Sequence, residues 1–174
     1  ELPVRARKRI VHVIDCPQPP SPLANCPLVI DPTGLYFRPE GGNFLSGISP
    51  PPDQDPDQDP DRDSLDVDQD LFETIWPLLA RRVPAFETLK LRRTWAGYYA
   101  YNTLDQNAIL GPHPEVGNFI LANGFSGHGL QQSPAVGRAL SEIITFGKFR
   151  TLDLSRFSYQ RVVANEPIRE LNVV

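Results

Sequence analysis

The segment that most constrains this chain is the glycine-rich stretch "GFSGHGLQQSPAVG", Gly124 to Gly137. A short apolar run, Asn118 to Ala122, precedes it, and residues of helical spacing follow as far as Phe146. Strand, glycine turn and helix is the order of a dinucleotide-binding turn. The fingerprint is nevertheless a near miss. After Gly127 and Gly129 the third glycine position holds Gln132. Asp153 stands near the acidic position expected about 20 residues on, but no strand–helix–strand unit leads to it. What remains is a helix start preceded by glycines, whose free N–H groups favour negative charge. A phosphate, a flavin ring, or a turn packed only against protein would each fit.

The helix itself reads as starting at Ser133, a favoured N-cap residue, with Pro134 at the first helical position. Val136, Leu140, Ile143 and Ile144 form the expected buried stripe, with Gly137 beside it permitting a close approach. Gly147 reads as the stop.

Upstream, β-branched residues mark a strand over Val4 to Asp15. A proline-rich loop follows from Pro17 to Pro27. Leu28 to Ile30, a turn at Asp31 to Gly34, Leu35 to Arg38, a turn at Glu40 to Gly42, and Asn43 to Ile48 then read as an antiparallel meander. "PPPDQDPDQDPDRD", Pro50 to Asp63, cannot bury apolar surface and its charges repel, so it reads as a flexible surface insertion. It lacks the glycine and closing glutamate of an EF-hand loop.

A helix is expected over Asp68 to Arg82, with Leu71, Ile75, Leu78 and Leu79 inward, a kink at Pro77 and a stop at Val83 and Pro84. Leu89 to Tyr101 reads as a strand carrying Tyr98, Tyr99 and Tyr101. Those rings suit either a half-covered pleat or an aromatic wall beside a flat ligand. Polar and glycine–proline turns follow at Thr103 to Asn107 and Gly111 to Pro114. Residues 151–174 show no period and suggest no role.

With 174 residues and 40% apolar content, the chain is long enough for a proper core. A net charge of -4 argues against a nucleic-acid partner, and no apolar run is long enough for a membrane span. No signal peptide is expected at the start. Cys16 and Cys26 read as unrelated thiols, with a disulfide across the proline loop as the alternative. His12, His113 and His128 are too scattered to suggest zinc. The start at Glu1 and the lack of methionine suggest a piece of something longer.

Taken together, "IDPTGLYFRPEGGNFLSGISP", "WAGYYAYNTLDQNAILG" and "GPHPEVGNFILANGFSGHGLQQSPAVGRALSEII" resemble the D-amino-acid oxidase and sarcosine oxidase family of flavoproteins. The resemblance implies an α+β fold: the C-terminal half of a two-domain FAD-dependent oxidoreductase. Residues 1–101 would belong to a mixed antiparallel substrate-domain sheet, with residues 50–66 as the insertion. Residues 102–149 would add a strand and a helix to the FAD-binding domain, and 150–174 would be a tail. The ADP-gripping glycine fingerprint would lie in polypeptide absent here, so this half alone should bind FAD poorly or not at all.

Carried onto this sequence, Gly124, Phe125, Ser126, Gly127, His128, Gly129, Leu130 and Gln131 would line the flavin ring. The amides of Gly129 to Gln131 would face the ring's C2 carbonyl and N1, where negative charge gathers on reduction. Tyr98 occupies roughly the place of the cysteine that bonds covalently to flavin in some sarcosine oxidases, which implies noncovalent FAD. Gln131 replaces a lysine that helps those enzymes hold a substrate carboxylate. Tyr98, Tyr99 and Arg38 are the substrate-side candidates, with Arg93 a further cation. "RVPAFETLK", "WAGYY", "NTLDQN" and "GFSGHGLQQSPAVGRA" match more closely a mitochondrial member linked to complex I assembly. That likeness implies respiratory complex I subunits or assembly intermediates as partners, and a place on the matrix side of the inner membrane. An active amine or amino-acid oxidase is the alternative.

Overall fold

The computed structural model describes residues 1–68 and 70–169. Its first strand, β1 (Val4–Asp15), alternates at its end between buried His12 and Ile14 and less covered neighbours. The proline-rich loop after it contains one short helical turn, α1 (Ser21–Ala24), that starts on Ser21-Pro22. The meander follows as β2 (Val29–Ile30), β3 (Leu35–Glu40) and β4 (Asn43–Ile48). These strands pair antiparallel, with Val29 opposite Phe37 and Leu35 opposite Ile48. The turn between β2 and β3 is held by Asp31, whose carboxylate accepts the Thr33 N–H at 3.0 Å and its hydroxyl at 2.9 Å. Those bonds hold the Asp31 pKa below its ordinary value.

Helix α2 (Leu71–Arg82) buries Phe72, Ile75 and Leu79, whose spacing puts them on one face. Leu71, expected inward, lies a residue off that face and is 40% exposed. Pro77 sits inside the helix, which ends where Val83 turns extended ahead of Pro84. The long strand β5 (Lys90–Asn102) completes a five-stranded sheet in the order β2-β3-β4-β1-β5.

Two compact units result. One spans Lys8–Tyr98. Its core packs Ile14, Leu35, Phe37 and Phe44 against Phe72, Ile75, Leu79, Phe86 and Leu89. Phe86 meets Phe37 and Phe44 edge-on, with ring centroids 5.3 and 5.2 Å apart. Cys16 and Cys26 are free thiols in this region.

The acidic insertion has defined seats that its charge pattern does not foretell. Arg9 grips Asp55 through two 2.7 Å bonds. Lys8 donates to the Ser64 and Asp66 carbonyls at 2.8 and 2.6 Å. A forked guanidinium matched to one carboxylate shows how an acidic run finds a place on a basic strand end.

The other unit joins Glu1–Arg7 to the chain from Tyr99 onward. The expected boundary after Tyr101 therefore lies inside it, because β1 and β5 each run through both units. Here β6 (Ile109–Pro112) and β7 (Ile120–Asn123) form an antiparallel hairpin, pairing Ile109 with Asn123 and Pro112 with Ile120. Gly111 and Pro112 thus belong to a strand rather than the expected turn. Helix α3 (Gly129–Phe146) follows, and α4 (Tyr159–Val163) lies in the tail. Ala108, Leu110 and Val136 form a small apolar cluster, covered by Phe125, Leu140, Leu154 and Phe157.

Helix α3 starts earlier than Ser133 suggests. His128 is its N-cap, and Pro134 lies inside it. The proline removes the amide that would bond the Leu130 carbonyl, and the Ser133 hydroxyl donates to that carbonyl instead, at 2.9 Å. The pair that imitates a cap is a repaired break. The inward face is Val136, Ala139, Glu142 and Ile143, while Ile144 is 71% exposed. A side chain at Gly137 would meet nothing within 4 Å, so the expected close approach there is not made. Gly147 ends the helix as expected, in the left-handed region, bonding the Ile143 carbonyl at 2.8 Å.

Candidate functional site

The glycine loop is built on the end of β5. Ser126 is 1% exposed and sits at φ 49°, a conformation uncommon for a residue with a side chain. Its N–H donates to the Ala100 carbonyl at 3.0 Å, and its hydroxyl accepts the Asn102 N–H at 2.9 Å. One serine therefore ties the loop to β5 from both its backbone and its side chain.

Gly124 is needed for two reasons. Its φ is +72°, and a Cβ there would lie 3.0 Å from Val4 Cγ2 and 3.3 Å from Asn102 Cβ. Gly127, at φ +92°, brings the backbone over Tyr99, whose ring would lie 3.7 Å from an added Cβ. His128 donates its backbone N–H to Phe125 at 3.0 Å. The first helical bond runs from the Gln132 N–H to the His128 carbonyl, at 3.1 Å. The amides of Gly129, Leu130 and Gln131 therefore precede the hydrogen-bond ladder. Among the described residues no side chain caps them, and the first turn holds no acidic residue. Leu130 is 86% exposed. The helix start thus offers unneutralised partial positive charge beside an uncovered apolar side chain.

Asn102 is fully buried and anchors this arrangement. Its side-chain oxygen accepts the Leu104 N–H at 3.0 Å, and its amide donates to Asp105 Oδ1 at 3.2 Å. Asp105 is 1% exposed and forms an ion pair with Arg161, itself 5% exposed. Arg161 also donates to the carbonyls of Asn107 and Ala108, at 3.1 and 2.9 Å. Burial lowers the Arg161 pKa from its ordinary value, while the charge of Asp105 opposes that shift. On α3, Glu142 accepts the Thr151 hydroxyl and the N–H groups of Arg150 and Thr151. Those bonds hold its carboxyl below the usual range.

The FAD dependent oxidoreductase family model matches residues 1–143. The chain belongs to this family. It is 53% identical over its whole length to FAD-dependent oxidoreductase domain-containing protein 1 of Xenopus laevis, covering 34% of that protein. It is 39% identical over 71 residues to a monomeric sarcosine oxidase of a Bacillus species, covering 41% of this chain and 18% of the oxidase. Among solved structures, L-proline dehydrogenase from P. horikoshii superposes with a TM-score of 0.80 at 29% identity, over 97% of this chain and 42% of the enzyme. The chain spans about a third of the length of the first curated relative it matches.

In a member of the FAD-dependent oxidoreductase family, the uncapped amides and the absence of acid at the start of α3 suit the electron-rich pyrimidine edge of a flavin. The structure brings Gly124 to Gln131 together with Tyr99, within one unit. It divides the tyrosines. Tyr99 and Tyr101 share a face, with centroids 6.0 Å apart, and Arg7 lies 4.7 Å over the Tyr101 ring. Tyr98 falls on the alternate face. Its hydroxyl donates to the Asp63 carbonyl at 2.7 Å. Desolvation, then Asp63 and Asp59, raise its pKa. All three rings are half-buried, as a pleated strand allows, and they do not form one wall.

Arg38 lies in the other unit, exposed and paired with Glu40, as a solvated strand residue does. Arg93 is likewise exposed. Sequence reasoning missed Asn102, Asp105 and Arg161. The dense polar run "NTLDQN" was the available signal for the first two.

Proposed function

We propose that this chain supplies the flavin-ring side of an FAD-dependent oxidoreductase-like mitochondrial protein that supports assembly of respiratory complex I. The observation that carries the flavin assignment is the start of α3: three amides ahead of the first helical bond, with no cap and no acid. Gly124 to Gln131 would hold the ring, the amides of Gly129 to Gln131 would favour its electron-rich side, and Tyr99 backs the loop. Bound there, FAD supplies a two-electron acceptor. The chain's own part is to favour negative charge beside those amides without rearrangement.

Noncovalent binding is the reading supported by Tyr98, which presents no thiol and whose hydroxyl donates to the Asp63 carbonyl. The ADP half of the cofactor is gripped by further polypeptide, in keeping with relatives about three times as long. The assembly role, the matrix side of the inner membrane and the complex I partners rest on the closer likeness. It extends over the whole chain at 53% identity, whereas likeness to the sarcosine oxidase covers 41% of it. Neutral Gln131 also offers a substrate carboxylate no charge.

A second reading, oxidation of an amine or amino-acid C–N bond, is favoured by the superposition on L-proline dehydrogenase. The full-length protein separates the two. A yellow protein inert to small secondary amines, recovered with complex I intermediates, is the expected result. Bleaching by such an amine gives the second reading, and a colourless full-length protein removes both.

A further inference from the structure

Helix α4 and the residues after it lie beyond the matched residues 1–143, yet they reach into the bond network beneath the glycine loop. Asp105 is where they meet. One of its oxygens, Oδ2, takes the Arg161 guanidinium and the Ile168 N–H, the latter at 2.8 Å. The other, Oδ1, takes the Asn107 N–H at 3.1 Å and the Asn102 amide at 3.2 Å. Asn107 closes the ring by donating to the Ile168 carbonyl at 2.9 Å. From Asn102 the next bond is to the Ser126 hydroxyl, and Ser126 fixes the left-handed bend before Gly127 and Gly129. Every member from Asn102 to Arg161 is held by partners on two sides, and Asn102, Ser126, Arg161 and the Asp105 side chain are almost wholly buried.

We propose that Arg161 and Asp105 are positioning residues for the glycine loop: the tail clasps the β5–β6 turn, and through Asn102 and Ser126 it sets where the amides at the start of α3 point. The link to a cofactor rests on the reading of that loop as the flavin side; the positioning itself does not. The physical reason is that directed bonds among buried polar groups favour one geometry; both Arg161 Nη atoms are bonded, while its Nε has no partner among the described residues. Removing Arg161 leaves a buried carboxylate without its cation, which loosens the turn that carries Asn102.

The test compares amide hydrogen exchange in the full-length protein, wild type against Arg161→Gln and Asp105→Asn, with Leu79→Ala as a destabilised control in the other unit. In both clasp variants, exchange over residues 124–132 should speed up by roughly tenfold, as expected for losing a bond to a buried charge, while residues 35–48 keep their protection. Leu79→Ala should show the reverse pattern. If Arg161→Gln is not recovered folded, Arg161→Lys makes the same comparison, since it keeps the charge and loses the fork to the Asn107 and Ala108 carbonyls. Where the wild type carries FAD, the clasp variants should also move its midpoint potential to more negative values, which Leu79→Ala should not. Unchanged loop exchange in the clasp variants, or equal acceleration by Leu79→Ala, overturns the positioning role. A wild type without FAD overturns the flavin reading alone, because the exchange pattern still decides the clasp.

Discussion

Between Lys8 and Tyr98 the buried centre is Ile14, Leu35, Phe37, Phe44, Phe72, Ile75, Leu79, Phe86 and Leu89, with His12, Ser46 and the Arg9-paired Asp55 as polar exceptions. From Tyr99 onward the apolar cluster is smaller, and Asn102, Ser126, Glu142, Arg161 and the Asp105 side chain are buried around it. An apolar core is held by contact area and accepts swaps of similar volume. A polar one is held by directed bonds, and removing one atom strands its partner. The unit that carries the candidate site is the one specified by direction. That suits a loop whose amides have to point at a fixed place.

Substitutions sharpen this contrast. Phe86→Ala removes the most enclosed ring of the apolar core and should lower stability by about 3–5 kcal/mol in chemical denaturation. It should leave exchange at residues 124–132 near wild type after correction for the global loss. Arg161→Met should also cost about 3–5 kcal/mol, because it leaves Asp105 charged and buried without its cation. The paired change Asp105→Leu with Arg161→Met should recover part of that loss. A pair that costs the sum of its members would break the contrast, since independent apolar sites add.

Ser126→Ala is smaller, about 1–3 kcal/mol, as the buried Asn102 N–H loses its acceptor. Its distinguishing readout is again local exchange rather than the midpoint of unfolding. The mildest effect is one of pH, in the apolar unit. Burial holds the His12 pKa below its ordinary value, with Nδ1 bonded to the Thr94 hydroxyl at 3.0 Å. The unfolded chain then takes up a proton first, so stability should fall as pH drops from about 6.5 through the lowered value. His12→Gln should flatten that slope. Glu142, whose pKa is also lowered, acts only at lower pH, where its contribution is lost as pH falls through its own folded value.

Much of the sheet unit was legible. β-branched residues over Val4 to Asp15, and a glycine turn ahead of Asn43 to Ile48, gave strands with those bounds, because residue type and turn chemistry are local properties of the chain. The resemblance pointed to the fold class, and the family match over residues 1–143 bears it out. Local signals misled where one residue type serves two purposes. Ser133-Pro134 has the form of a helix start and is the patch on a mid-helix break. Ile143 and Ile144 are equally apolar, yet only Ile143 turns inward, since adjacent helical positions diverge. The clasp was illegible for a different reason. Arg161 and Asp105 lie 56 residues apart, and no period or motif announces that two charges will share a dry site.

Position 126 illustrates what the left-handed bend demands of heredity. Glycine would accept the backbone angle and forfeit the hydroxyl. Asparagine tolerates the angle as well, but brings extra bulk into a place with 1% of its surface open. Threonine keeps the oxygen and resists the angle, being β-branched. A saturation library at this codon should therefore return serine almost alone, because the bend and the buried hydroxyl bond are demanded of the same residue.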